Sequence, residues 1–119
     1  MKTNNLKNII KKIFINHKLS KEHALICAEA LINAELVGAP SHGLSRLKMY
    51  CDRIKHKLIN PKPKIKIKKI SQSISLIDAN NSIGFVGADV AIKTAIKNAK
   101  KTGIGLVAVK NSGHYGLSG

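Results

Sequence analysis

Two short stretches of the sequence carry side chains whose types and spacing suit chemistry. The first is Ser41-His42-Gly43-Leu44-Ser45-Arg46. If Ser41 caps a helix, His42 lies in its first turn and Arg46, four residues on, projects from the same face. Tyr50 follows another turn along. An imidazole and a guanidinium at a helix N-terminus make an anion site. Backbone N–H groups, the positive end of the helix dipole and a fork that grips a carboxylate all converge there. The imidazole can also move a proton near neutral pH. A solvated His and Arg with no task is the plainer reading, and spacing alone favours it. The second stretch is Asn111-Ser112-Gly113-His114-Tyr115-Gly116, directly after an apolar run of strand length. That is the usual place for a functional loop in an α/β protein. Gly113 and Gly116 let backbone approach a ligand closely. An ordinary turn with a surface histidine fits these residues equally well.

Other patterns carry less. Gly103-Ile104-Gly105-Leu106-Val107-Ala108 has the letters of a dinucleotide-binding fingerprint. That fingerprint must follow a strand and open a helix, so that pyrophosphate meets the helix N-terminus. Here it closes a helical pattern and enters a strand, and reads as a helix stop. His17, His23 and His56 fall in polar positions and read as surface residues. No His, Cys and carboxylate set has metal-ligand spacing, and no Ser lies in a nucleophile-elbow pattern. Cys27 and Cys51 are too few for a disulfide framework, which leaves a reduced, cytoplasmic protein as the expectation. No run approaches the ~20 apolar residues of a membrane span, and no signal peptide is recognisable.

The charge is +15, from 21 basic and 6 acidic residues among 119. That balance suggests a small basic nucleic-acid-binding or assembly protein. However, 19 of the basic residues are Lys and only 2 are Arg, while Ile (17) and Asn (10) are abundant. These are residues of A+T-rich codons. A nucleic-acid site favours Arg and stacking aromatics, and aromatics are 3% here. The charge therefore reads as compositional, and no specific nucleic acid is expected.

The elements that must position the two stretches can be read from periodicity. Leu6, Ile9, Ile10, Ile13 and Phe14 predict a first helix ending near residues 16–18. Ser20 offers an N-cap, with Glu22 in the first turn of a second helix. Ala24, Cys27, Ala28, Leu31 and Ile32 form the apolar stripe of that helix, and Gly38 and Pro40 stop it. A third helix, capped by Ser41, carries Leu44, Leu47, Cys51, Ile54 and Leu58, and ends before Pro61. The alternation of residues 64–70 predicts a half-buried, lysine-rich edge strand through Ile65 and Ile67. Residues 73–79 predict a second strand, and residues 78–82 a turn. A fourth helix over residues 84–101 is expected to bury Ala88, Ala91, Ile92, Ala95, Ile96 and Ala99. Residues 104–109 read as a strand buried on both faces. The expected fold class is mixed α/β. An N-terminal helical portion (1–60) precedes the start of a sheet with a crossover helix (61–119).

Taken together, AELVGAPSHGLSRLKMYCDRIKHKLINPKPK and GIGLVAVKNSGHYGLSG resemble the N-terminal part of the malate/L-lactate dehydrogenase family, whose fold is not of the Rossmann type. The Ser-His-Gly-x-x-Arg and Asn-Ser-x-His-x-Gly motifs, in this order and separation, carry the likeness, which extends over essentially the whole chain. The resemblance implies interconversion of 2-oxo and 2-hydroxy acids with NAD or NADP, in homodimers. It implies that His42 and His114 are active-site histidines, either of which is a candidate proton carrier. It implies that Arg46 binds the substrate carboxylate and that Ser41 positions the cofactor or the substrate; Tyr50 is counted with them as substrate-binding. Family members are much longer, and most of their NAD(P)-binding segments lie beyond the point that matches Gly119. The chain is thus expected to be a fragment, truncated relative to the family and inactive by itself, with its cofactor-binding residues unknown.

Overall fold

The computed structural model describes residues 2–117. Helix α1 (Thr3–Asn16) turns Ile10 and Phe14 inward. Helix α2 (Lys21–Leu36) begins where expected, with the Ser20 hydroxyl accepting the His23 N–H at 3.1 Å. This cap satisfies one of the amide donors that a helix start leaves free. The α2 stripe Ala24, Cys27, Ala28, Leu31 and Ile32 is buried throughout. α1 packs on α2, and the core between them takes in Tyr50, Ile54 and Ile59, then Ile83, Phe85 and Val86 from the far half of the sequence.

Two 3₁₀ turns, Pro40–His42 and Leu44–Arg46, precede helix α3 (Leu47–Lys55). Strands β1 (Lys66–Lys69), β2 (Ile74–Ser82) and β3 (Leu106–Ser112) form one sheet in that order. β1 pairs antiparallel with β2, and β3 pairs parallel with β2. Helix α4 (Gly84–Thr102) makes the crossover that parallel pairing requires. Gly103 closes it in the left-handed conformation, φ +84°. The mixed α/β class is therefore observed, with helices first and a sheet with a crossover helix after.

Several local expectations are corrected. The third helix starts at Leu47, not at Ser41, and ends at Lys55, leaving Leu58 exposed. β1 is an edge strand, but it is exposed along its whole length, Ile67 included; of the expected pair only Ile65, just before it, is half-buried against the core. β2 runs on through Asp78–Ser82, where a turn is expected. Asn80 and Asn81 take positive φ (50° and 58°) inside the strand, a conformation asparagine tolerates. The α4 stripe is only partly covered: Ile92 and Ile96 remain 57% and 48% exposed and Ala88 is exposed, Ala91, Ala95 and Ala99 are half-buried, and full burial falls on residues 84–87 and Asn98. β3 is likewise open to solvent rather than covered on both faces.

Candidate functional site

Ser41, His42 and Arg46 sit in the connection between α2 and α3, and the chain there folds against helix formation. Pro40 opens the first tight turn. Gly43 then takes φ −96° and ψ −132°, which breaks any helical run between His42 and Leu44. Its conformation is held by Glu35, whose carboxylate accepts the Leu44 N–H at 2.7 Å and lies where a Cβ on residue 43 would stand. Ser41 consequently caps no helix, and His42 and Arg46 belong to successive turns rather than to one helix face. They are tied together by other bonds. Arg46 Nε donates to the Ser41 carbonyl at 2.7 Å, and Ser45 Oγ donates to the Pro40 carbonyl at 2.8 Å. Ser41 Oγ lies 3.0 Å from His42 Nδ1. The Arg46 Nη groups make no hydrogen bond among the described residues, which leaves the outer edge of the guanidinium available to an anion.

His114 arrives from the end of β3. Asn111 adopts φ 53° and donates through Nδ2 to Asp78 Oδ1 at 3.0 Å. The Gly113 N–H donates to the Ser82 carbonyl at 3.3 Å. The carbonyls of Gly113 and His114 lie against Gly84, at the first residue of α4, so closely that a Cβ there would collide with them. Gly116, φ +81°, lies equally tight on the Phe85 ring. These contacts bring the His114 ring over His42, with centroids 6.0 Å apart and planes 21° from parallel. Tyr50, from α3, reaches the same place: its hydroxyl is 2.8 Å from His114 Nδ1. The site thus unites residues 41, 42, 46, 50 and 114.

The electrostatics favour anions. Partial burial holds the His114 imidazolium below its ordinary pKa, helped by the positive charges of Arg46, His42 and Arg53. Burial pushes the Tyr50 phenol up to about 12, against the pull of Arg46 and Arg53. The Tyr50 hydroxyl therefore keeps its proton at neutral pH. A half-buried guanidinium beside two stacked imidazoles can take a carboxylate on one side and give a hydrogen bond to a neighbouring oxygen on the other.

Sequence reasoning missed Glu35 and Gly84. Glu35 stands in the last turn of α2, where the helix dipole disfavours an anion, and that anomaly was a readable signal. Gly84 gave no such signal, because its partner is thirty residues away. His17 and His56 stay apart from the site, each bonding a backbone carbonyl of its own helix.

The sequence profile of the malate/L-lactate dehydrogenase family, by that description, matches residues 1–119. The chain belongs to this family. It is 48% identical over 99 residues to a malate dehydrogenase of Pyrococcus abyssi, covering 83% of this chain and 27% of that one. It is 38% identical over 119 residues to the L-sulfolactate dehydrogenase of Methanocaldococcus jannaschii. The solved structure of the sulfolactate dehydrogenase from that organism superposes with a TM-score of 0.96, covering 100% of this chain and 35% of that one. An Escherichia coli ureidoglycolate dehydrogenase (NAD(+)) is 33% identical over 98 residues, covering 82% of this chain and 28% of that one. The chain thus spans about a third of the length of these relatives.

The malate/L-lactate dehydrogenase family implies a nicotinamide cofactor, and residues 103–108 close a helix and enter a strand instead of opening a helix towards a pyrophosphate. The glycines at 103 and 105 are used otherwise. Gly103 closes α4, and Gly105 lies so close to the Ala95 backbone that a Cβ would strike it.

Proposed function

We propose that this chain supplies the substrate side of an oxidoreductase that interconverts a 2-oxo acid and a 2-hydroxy acid. The observation that carries this reading is the Arg46 guanidinium, free at both Nη groups, beside the stacked pair His42 and His114. A 2-oxo acid offers a carboxylate for the first and an adjacent carbonyl oxygen for the second. Arg46 takes the carboxylate, and the two imidazoles serve the oxygen at the 2-position by hydrogen bond and proton. Ser41 completes the substrate side directly, and Tyr50 does so through His114. NAD or NADP belongs to this reading as the redox partner, with no described residue assigned to hold it. Pairing of protomers as a homodimer belongs to it as well. The two buried, unpaired thiols of Cys27 and Cys51 support a reducing compartment, the cytoplasm.

Titration with pyruvate, followed by the ring signals of His42 and His114 in nuclear magnetic resonance, tests the proposal. Arg46→Ala is expected to weaken binding by about tenfold or more, the usual cost of losing a hydrogen bond to a charged partner. Equal affinity in wild type and variant rejects the carboxylate clamp. The 119-residue chain alone is expected to show neither saturable quenching of NADH or NADPH fluorescence nor turnover of 2-oxo acids. A hydride donor must be held within reacting distance, and the described residues hold none.

A further inference from the structure

We infer that Tyr50 is a positioning residue: its hydroxyl joins the Gly116 backbone N–H in donating to His114 Nδ1, and together they hold the ring as the neutral tautomer with its proton on Nε2. His114 then meets the substrate oxygen as a hydrogen-bond donor. The last step rests on the reading of the site as a 2-oxo acid site; the tautomer does not.

The geometry is the warrant. His114 Nδ1 has two neighbours, the Tyr50 hydroxyl at 2.8 Å and the Gly116 backbone N–H at 3.2 Å. A backbone N–H can only donate. A proton on Nδ1 would point at that N–H and repel it. Nδ1 therefore accepts, and a neutral imidazole that accepts at Nδ1 carries its hydrogen on Nε2. Tyr50 suits the task. It is 1% exposed, its ring is tilted 59° against Phe85 with centroids 5.3 Å apart, and its hydroxyl has no other partner among the described residues. A side chain this buried, with its one polar atom already used, acts on a ligand through His114 rather than by touching it. Nε2 makes no hydrogen bond among the described residues and is left for a ligand. His42 is the contrast. Its Nδ1 faces the Ser41 hydroxyl, which can donate or accept, so neither tautomer is imposed there.

Nitrogen-15 spectra of the ligand-free protein near neutral pH test this, because protonated and unprotonated ring nitrogens differ sharply in shift. The expected result is His114 with Nε2 protonated and Nδ1 bare, together with a slowly exchanging Tyr50 hydroxyl proton coupled to Nδ1. Tyr50→Phe removes only the hydroxyl and keeps the ring against Phe85. It should lower the ratio of the Nε2–H to the Nδ1–H tautomer of His114 by about three- to tenfold, the worth of one hydrogen bond, while leaving His42 unchanged. A wild-type His114 protonated on Nδ1, or an unchanged ratio in Tyr50→Phe, overturns the inference. The hydroxyl coupling in wild type decides the contact even if the variant does not fold. Addition of pyruvate separates the two readings. A shift centred on Nε2 supports both, whereas the expected tautomer with no response to pyruvate rejects the 2-oxo acid site and leaves the task of Tyr50 standing.

Discussion

Helices α2 and α4 carry apolar stripes of similar make-up, rich in alanine and isoleucine, and meet opposite conditions. In α2 the stripe from Ala24 to Ile32 is sealed against α1, α3 and the start of α4. In α4 the stripe from Ala88 to Ala99 is covered only in part, with Ile92 and Ile96 exposed, and the segment that follows shares its exposure, with Ile104 and Leu106 at 67% and 60%. Periodicity marks a face that is better out of water, but only a packed neighbour removes it. The same residue type therefore has a different energetic meaning in the two regions, and substitutions measure the difference.

The largest expected effect is in the sealed region. Phe14→Ala should cost about 3–5 kcal/mol in urea denaturation, since a buried aromatic ring leaves a cavity. Ile92→Ala, on the open face, should stay within about 0.5 kcal/mol of wild type. A comparable loss at both positions breaks the contrast. The junction of the two regions comes next. Gly84→Ala places a methyl on the carbonyls of Gly113 and His114 and should cost about 1–3 kcal/mol through overpacking. It should also separate the His114 and His42 ring signals from their wild-type positions, which spectroscopy reads independently of stability. The smallest effect is on pH. The fold favours neutral His114, so its folded pKa lies below the unfolded value of about 6.5. Above that value no penalty arises. As pH falls through it, the unfolded chain takes up a proton that the folded chain resists, and stability drops. The thermal midpoint should fall slightly between about pH 7.5 and pH 5.5, and His114→Gln should remove that part of the fall.

What could be read from the sequence follows the same division. α2 was legible from end to end because its signals are local: Ser20 caps it, the stripe repeats at helical spacing, and Gly38 follows its end. The early turns before α3 were not. The local pattern from Ser41 to Leu58 is helical, and before Leu47 it is overruled by Glu35 and by the non-helical backbone of Gly43. β2 was cut short because Asn80 and Asn81 look like turn residues, and their positive φ is accommodated within the strand. The exposure of α4 and β3 is not legible, because apolar content does not say whether a neighbour covers it. At the site, the motif residues themselves were legible, and the stacking of His42 on His114 accords with their placement at a loop and a strand end. The tasks of Glu35 and Gly84 were not, since each acts through a contact distant in sequence.

The contact between Gly84 and the His114 backbone has a mechanical consequence. It puts the fulcrum of α4 at the site. The helix has 19 residues and is about 28 Å long at 1.5 Å per residue. A tilt of about 5° about its first turn would carry the far end, near Thr102, by about 2.5 Å, yet move Gly87 by only about 0.4 Å on the same geometry. In such a tilt the turn of α4 that touches the His114 backbone is the part of the helix that moves least.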